Sequence, residues 1–176
     1  AMDRFIREGK LASSVSHPRC VFVLETAQSG KFPYIVMELV KGADLNQHVT
    51  KNGRLEIFDA LRKTIDIIDG LEAAHGLGVI HRDVKPSNCF LGDDGRVKVG
   101  DFGLSRTLAE DAQLTVTGSF IGTPLFTSPE KIRNEKLDGR TDIYSVASTL
   151  YFLLTGQAPF QSDNAMAVMA RIVADP

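Results

Sequence analysis

The order of apolar and polar positions predicts an N-terminal part with strands and a longer helical part. Apolar residues within 3–15 recur at helical spacing, and Pro18 predicts the end of that helix. The runs CVFVLETA, residues 20–27, and YIVMELV, residues 34–40, have the composition of β-strands. Because the sequence QSGKFP separates them, the two runs predict a β-hairpin.

Two helices are predicted after this hairpin. A short helix follows Asp44, a residue type that is favourable at a helix N-terminus. A longer helix is predicted from Leu55 to about His75, and Gly76 and Gly78 predict its end. Four apolar residues at helical spacing predict the buried face of the longer helix: Leu61, Ile65, Ile68 and Leu71.

Residues 89–99 predict a second hairpin, because the apolar runs CFL and VKV flank the turn sequence GDDG. Residues 104–128 are polar and lack periodicity, which predicts a long loop of the kind that usually has a function. The second hairpin therefore leads directly into a candidate functional loop.

The C-terminal part predicts two more helices. The run 141–156 is apolar nearly all round, which indicates a core helix. Its expected caps are Thr141 or Asp142 at the start and Gly156 at the end. A final amphipathic helix is predicted to begin near Asp163, with Met166 and Met169 on one packed face.

Composition narrows the class of protein. The 176 residues are 43% hydrophobic and 24% charged, with a net charge of −2, so neither nucleic acid nor an acidic membrane is an expected partner. Only Cys20 and Cys89 occur, which argues against a disulfide framework. With only these two cysteines, a reducing cytoplasm is the expected location. No apolar run is long enough to span a bilayer. The full-length protein could still be anchored through other segments.

The stretch VIHRDVKPSNCFL, residues 79–91, concentrates the candidate chemistry. Its irregular part holds Asp83, Lys85 and Asn88, and Asp101 follows the strand VKV of the second hairpin. The hairpin should bring Asn88 and Asp101 together, and such an oxygen pair suits Mg²⁺ or Mn²⁺ bound to phosphates. Asp83 could then take a hydroxyl proton, and Lys85 could supply charge to a transferring phosphoryl group.

Four ordered motifs carry a resemblance to a known family. They are HRD with Asn88, DFG at 101–103, GTPLFTSPE at 122–130 and DIYSVASTLYFLLTGQAPF at 142–160. The chain resembles a bacterial-style, eukaryotic-like serine/threonine protein kinase catalytic domain. The resemblance implies an α+β fold with a partial small lobe of one helix and two strands. It also implies a hinge at 38–44 and a mainly helical large lobe from 45 to 176, without its last helices.

The resemblance also implies catalytic roles. Asp83 would be the catalytic base, Lys85 would contact the γ-phosphate of ATP, and Asn88 with Asp101 would bind magnesium. Thr123 would line the pocket for the Ser or Thr hydroxyl of a protein substrate. Asp142 would brace the catalytic loop from the core helix. Apart from the resemblance, a lone histidine such as His81 is expected to be a packed structural residue rather than a proton carrier.

The implied nucleotide and regulatory residues lie on both sides of the loop. Met37 would be the gatekeeper, Glu38 to Val40 the adenine-binding hinge, Asp44 a ribose contact and Phe90 part of the adenine floor. Glu8 falls where the family has a glutamate that pairs with a strand lysine. Arg82 would receive a regulatory phosphate, for which the candidate acceptors are Thr115, Thr117 and Ser119.

The chain also departs from the family pattern. It contains no G-x-G-x-x-G loop and no strand lysine before Glu8, and it ends at Pro176 ahead of the family's last helices. We therefore expect the 176-residue chain to be inactive alone, while the full-length protein transfers phosphate. Exposed small-lobe surface predicts self-association, or a partner chain that completes the lobe.

Two other functions stay open at this point. A non-catalytic pseudokinase or scaffold module could share the fold. The presence of all four polar residues argues against it: Asp83, Lys85, Asn88 and Asp101. A small-molecule phosphotransferase could share the loop and the metal aspartate, although GTPLFTSPE argues against that class. The alternative for the polar cluster itself is a buried network that only holds a loop.

Overall fold

The computed structural model describes Gly9 and residues 11–30, 32–102 and 124–174. These residues form an α+β architecture with two separate hairpins, five α-helices and a short 3-10 helix at Pro86–Asn88, after helical backbone at Gly9 and 11–13. In chain order the elements are β1 Val23–Ser29, β2 Phe32–Met37, α1 Leu45–Asn52, α2 Ile57–Gly76, β3 Cys89–Leu91, β4 Val97–Val99, α3 Pro129–Ile132, α4 Gly139–Thr155 and α5 Ala165–Ala174.

Both predicted hairpins are confirmed. β1 and β2 pair antiparallel from Val23 opposite Met37 to Ser29 opposite Phe32, so the strands extend further into QSGKFP than predicted. The turn includes Gly30, whose φ of 60° favours glycine. β3 and β4 also pair antiparallel, across the turn that GDDG predicts.

The backbone ahead of β1 joins the second hairpin. Cys20 forms an isolated parallel bridge with Val99 of β4. Val21 N donates to Val99 O at 2.8 Å, and Val99 N donates to Arg19 O at 2.8 Å. This extra backbone pairing connects the N-terminal hairpin to the strands that carry the candidate chemistry.

The core lies where α2, α4 and β4 meet. Its fully buried members include Ile67 of α2, Leu153 of α4 and Val97 and Val99 of β4. Leu45 and Val49 of α1 join the same cluster. The loop of residues 79–88 lies between these elements, so its backbone is held by a packed core on several sides.

The predicted buried face of α2 is wrong. Leu61, Ile65 and Ile68 are 41%, 55% and 48% exposed, whereas Leu71 is buried as predicted. The buried residues of α2 are instead Ala60, Lys63, Thr64, Asp66, Ile67, Gly70, Leu71 and Ala74. Apolar residues occur on both sides of this helix, and its small residues allow close approach by its neighbours. At Gly70, an added Cβ would lie 2.7 Å from Arg19 O.

The predicted start of α4 is also wrong, while its end at Gly156 is confirmed. The helix begins at Gly139, and its N-cap is Asp138, whose side chain accepts from Arg140 N at 2.9 Å. Thr141 and Asp142 lie in the first turn, where their side chains bond to other parts of the chain. Because both side chains bond to residues elsewhere in the chain, neither Thr141 nor Asp142 caps the helix.

The last helix begins near Asp163, as predicted, but its packed face differs from the prediction. α5 begins at Ala165, and Asn164 caps it by accepting from Ala167 N at 2.8 Å. Met169 is buried with Val168 and Ile172, but Met166 is 62% exposed. The two methionines therefore do not share one packed face.

Both cysteines are buried free thiols. Burial raises the pKa of each, Cys20 and Cys89, to about 12, so the thiols stay protonated at neutral pH. Across the described ranges, no helix is both long and apolar enough to cross a membrane.

Candidate active site

The loop from Val79 to Asn88 connects α2 to β3, and two buried valines anchor it. Val79 and Val84 are buried, at 8% and 1% exposure. His81 is fully buried between them, and its Nε2 lies 2.7 Å from Gly100 O. Asp83 N donates to His81 Nδ1 at 3.2 Å, so Nε2 carries the proton that is donated to Gly100. His81 thus has the packed structural position that was predicted for it.

Asp142 of α4 binds the backbone of this loop. Its Oδ2 accepts from His81 N at 2.9 Å, and its Oδ1 accepts from Arg82 N at 2.7 Å. His75, near the end of α2, places Nε2 2.7 Å from the same Oδ2. Asp142 is completely buried, so its carboxylate connects two core helices with the loop.

Asp83, Lys85 and Asn88 converge on one point. Asp83 Oδ2 accepts from Lys85 Nζ at 2.6 Å and from Asn88 Nδ2 at 3.3 Å. Asn88 Nδ2 also donates to Asp83 O at 2.9 Å. In the described part of the chain, Asp83 Oδ1 accepts no hydrogen bond, so this oxygen can receive a proton from a ligand.

Asn88, directly before β3, and Asp101, two residues after β4, carry the side-chain oxygens that Mg²⁺ prefers. Asn88 uses its Nδ2 within the loop, and its Oδ1 accepts no hydrogen bond from the described residues. Gly100 N donates to Asn88 O at 2.9 Å, which holds the segment of Asp101 beside Asn88. The described residues contain no cluster of three or more His, Cys, Asp or Glu that could hold a metal. Two protein oxygens completed by phosphates and water suit Mg²⁺.

Met37 lies at the end of β2 and helps to line a small apolar pocket. The pocket is bounded by Ala12, Val21, Val23, Ile35, Met37, Asp101 and Phe102. One face of the first hairpin therefore packs toward Asp101, the predicted metal ligand. Met37, the gatekeeper candidate, and Asp101, the candidate metal ligand, therefore line the same pocket.

Glu38 is held by side-chain contacts that the sequence did not predict. Its two carboxylate oxygens lie 2.6 and 2.8 Å from Lys98 Nζ, and Oε1 also accepts from Phe22 N. Because the carboxylate is occupied and Glu38 N donates to Phe22 O at 2.9 Å, the group that Glu38 can offer to a ligand is its carbonyl oxygen. Val40, two residues later, is half-buried.

Asp44 and Phe90 are brought together by an antiparallel bridge. Asp44 Oδ1 accepts from Gln47 N at 2.8 Å and caps α1, which confirms the helix start. Close approach of the two segments requires Gly42, because a Cβ there would lie 1.7 Å from Leu91 O. Asp44, the candidate ribose contact, and Phe90, the candidate adenine contact, therefore lie on adjacent backbone segments.

The end of the predicted activation segment is anchored on α4. Glu130 Oε1 accepts from Thr141 Oγ1 at 2.7 Å, and Ser145 Oγ donates to Phe126 O at 2.8 Å. Burial pushes the pKa of Glu130 upward, but accepted hydrogen bonds, first that from Thr141, outweigh burial and lower the pKa. Glu130 is thus held as a carboxylate.

Several predicted site residues lie outside the described residues. They are Glu8, Thr115, Thr117, Ser119 and Thr123. Arg82 is described, with a left-handed φ of 69° and a half-buried side chain.

Sequence reasoning missed four residues that shape the site: Gly42, His75, Lys98 and Lys131. The carbonyl of Arg82 accepts from Lys131 Nζ at 2.7 Å, although Lys131 is far along the chain. Lys98 lies between the buried Val97 and Val99 in β4. The alternation of side chains along a strand could therefore have placed Lys98 on the opposite face. Nothing in the pattern around Lys131 or His75 indicated a long-range partner.

Comparison with known proteins places this geometry in a family. The protein kinase domain family matches residues 1–175. The chain is 37% identical, over 98% of its length, to the probable serine/threonine-protein kinase pknA2 of Bifidobacterium longum. It is 38% identical, over 95% of its length, to serine/threonine-protein kinase PknL of Mycobacterium tuberculosis. It is 41% identical, over 94% of its length, to serine/threonine-protein kinase PknB of Mycolicibacterium smegmatis.

These relatives are longer proteins. The chain spans 23% of pknA2, 42% of PknL and 27% of PknB. The aligned region nevertheless includes the loop, both hairpins and the core helix described above. The chain therefore belongs to the protein kinase domain family.

Proposed function

We propose that the full-length protein transfers the γ-phosphoryl group of ATP to Ser or Thr hydroxyls of proteins. The observation that carries this proposal is the convergence of Asp83, Lys85 and Asn88 in one hydrogen-bonded loop beside Asp101. Two donors hold Asp83 Oδ2, whereas Asp83 Oδ1 accepts no hydrogen bond from the described residues and has only Lys131 Nζ within ion-pair range at 3.7 Å, which supports a role for Oδ1 toward a ligand.

Asp83 would act as the base through Oδ1. As the substrate hydroxyl oxygen bonds to the γ-phosphorus, the bond to the bridging oxygen of ADP breaks and the hydroxyl proton passes to Asp83. Lys85 and Asn88 both hold Oδ2, which orients the other oxygen outward. Lys85 is about one-third exposed, so its ammonium can also reach a phosphate oxygen.

Asn88 and Asp101 would hold Mg²⁺ or Mn²⁺, which neutralises phosphate charge when bound. The adenine would lie between the Glu38–Val40 main chain, Met37 and Phe90, with Asp44 beside the ribose. The occupied carboxylate of Glu38 supports recognition through backbone groups. Thr123 would line the substrate hydroxyl pocket.

We further propose the regulatory roles that the sequence suggested. A phosphate on Thr115, Thr117 or Ser119 would pair with Arg82 and order the preceding loop. The backbone of Arg82 is fixed at both its N–H and its C=O, which supports a defined direction for the side chain. Glu8 would pair with a lysine of the full-length protein.

The hairpin face that points away from the site supports the proposed self-association. Phe32, Tyr34 and Val36 alternate along β2 and are 79%, 42% and 39% exposed. A stripe of this kind on a two-stranded sheet is a surface for a second chain. A cytoplasmic location is also proposed, because both cysteines are free thiols.

The test compares the full-length protein with its Asp83→Asn variant, using ATP labelled at the γ-phosphate and a protein substrate. Magnesium-dependent label on Ser and Thr of the wild type, and its loss in the variant, is the expected result. Asp93→Asn, in an exposed turn, is the matched control and should keep activity. No transfer by the wild type would favour a pseudokinase, and label only on small molecules would favour the other phosphotransferase class.

A further inference from the structure

Lys131 reaches the catalytic loop from α3, a helix of four residues. Its Nζ donates to Arg82 O at 2.7 Å and lies 3.7 Å from Asp83 Oδ1. The side chain is 23% exposed, so the ammonium is largely enclosed by the protein. The residue directly after Glu130 thereby connects the end of the predicted activation segment to the candidate base.

Packing alone does not explain an enclosed ammonium at this place. Glu130 already ties α3 to α4 through Thr141. Burial, followed by the positive charge of Lys85, lowers the pKa of Lys131, and the charge of Asp83 opposes this shift. An apolar side chain would fill the same space without desolvating a charge. Packing therefore does not account for a lysine at this position.

The backbone of Arg82 needs support from both sides. With a φ of 69°, Arg82 adopts a left-handed conformation that is strained for a residue with a side chain. Asp142 holds the N–H of Arg82, and Lys131 holds its C=O. Because Asp83 follows this peptide, the two contacts together set the direction in which the Asp83 side chain leaves the backbone.

The two lysines near Asp83 occupy different oxygens. Lys85 hydrogen-bonds to Oδ2 at 2.6 Å, whereas Lys131 lies 3.7 Å from Oδ1, within ion-pair range but beyond hydrogen-bond distance. Lys131 therefore attracts Oδ1 electrostatically but donates no hydrogen bond to it, so Oδ1 can still accept a proton.

We propose that Lys131 is a positioning residue for phosphoryl transfer, which fixes the Arg82 carbonyl and aims Asp83 Oδ1 at the substrate hydroxyl. This inference rests on the proposed kinase function. It predicts an effect on the chemical step rather than on nucleotide binding, because Lys131 contacts the base and none of the residues proposed to hold ATP.

Steady-state kinetics of the full-length protein test the proposal with three variants. Lys131→Met should lower kcat about 10- to 100-fold, as expected for a misplaced catalytic group, with KM for ATP little changed. Lys131→Arg keeps the charge and a donor and should recover most of the lost kcat. Lys136→Met, on an exposed lysine five residues later, is the control and should match the wild type. A kcat for Lys131→Met equal to wild type overturns the proposal, as does an equal loss in Lys131→Arg.

A second measurement uses the 176-residue chain and requires no activity. Amide hydrogen exchange of residues 83–88 should be roughly tenfold faster in Lys131→Met than in wild type or Lys136→Met, because one hydrogen bond to the loop is lost. Unchanged exchange overturns the positioning role. If the wild type transfers no phosphate, the proposed function fails, while exchange still decides whether Lys131 holds the loop.

Discussion

Asp142 accepts a hydrogen bond from the backbone N–H of Arg82 at 2.7 Å, across sixty positions of sequence. The same carboxylate accepts from His81 N at 2.9 Å, a contact that is buried, whereas the contact with Arg82 is partly buried. Asp142, which is completely buried, therefore serves the backbone of the candidate catalytic loop rather than a ligand. This contact makes the loop conformation depend on the packing of the helical core.

Replacing Asp142 with Ala should destabilise the chain by about 3 kcal/mol, because two loop N–H groups lose their acceptor in the core. Urea unfolding followed by circular dichroism measures the change in the free energy of unfolding. Asp163→Ala, on an exposed acid ahead of α5, is the control and should remain within about 0.5 kcal/mol of wild type. Equal stability of the Asp142 and Asp163 variants would contradict the bracing role.

Asp101→Asn should abolish phosphoryl transfer by the full-length protein, because one of the two proposed magnesium oxygens is replaced by a weaker ligand. The free energy of unfolding should change little, since Asp101 is half-buried and makes no hydrogen bond within the described residues. Phosphate incorporation over a range of magnesium concentrations is the measurement, with Asp93→Asn as control. Near-normal turnover of Asp101→Asn at every concentration would refute the metal role.

Gly42→Ala should destabilise the chain by about 1–3 kcal/mol, the usual cost of forcing extra volume into a packed contact. The added Cβ would lie 1.7 Å from Leu91 O, so the segment before α1 must move away from β3. Gly76→Ala is a matched control, because a Cβ at that helical position meets nothing within 4 Å. It should leave stability unchanged or raise it. Two variants of equal stability would exclude a requirement for close approach at Gly42.

The exposed stripe of β2 should control self-association. Phe32→Ser combined with Tyr34→Ser should reduce both apolar dye binding and the apparent mass of the 176-residue chain, because it removes two exposed aromatic rings. The control is Ile57→Ser with Phe58→Ser, which removes exposed apolar surface at the start of α2. A wild-type chain that is monomeric and binds no dye would count against the stripe as a contact surface. So would an equal response to the control.

Local patterns predicted both hairpins, the α1 helix with its Asp44 cap and the Gly156 end of α4. These features depend on residues close together in sequence, such as a turn between two apolar runs or a side chain that caps its own helix. The motifs around Asp83 and Asp101 also indicated the family, because their order and spacing are visible without a structure. Ligand binding by the residues of the candidate site stays a prediction.

Sequence patterns gave wrong predictions where contacts between residues distant in sequence decide which side chain is buried or hydrogen-bonded. α2 carries apolar residues on two faces, and only packing against α4 and β4 selects Ile67 over Ile65 for burial. Thr141 is a plausible cap by residue type, yet Glu130 takes its hydroxyl. A helical period or a cap preference contains no information about such partners.

The sequence by itself determined the local elements, the family and the set of polar residues available for phosphoryl transfer. Only the tertiary structure decided which atoms of those residues remain available. It assigned Asp142 to the backbone of Arg82, the Glu38 carboxylate to Lys98 and the Arg82 carbonyl to Lys131. The physical reason is that an enclosed polar group must find a partner, and the partner nearest in space is set by the packing of the core rather than by distance along the chain.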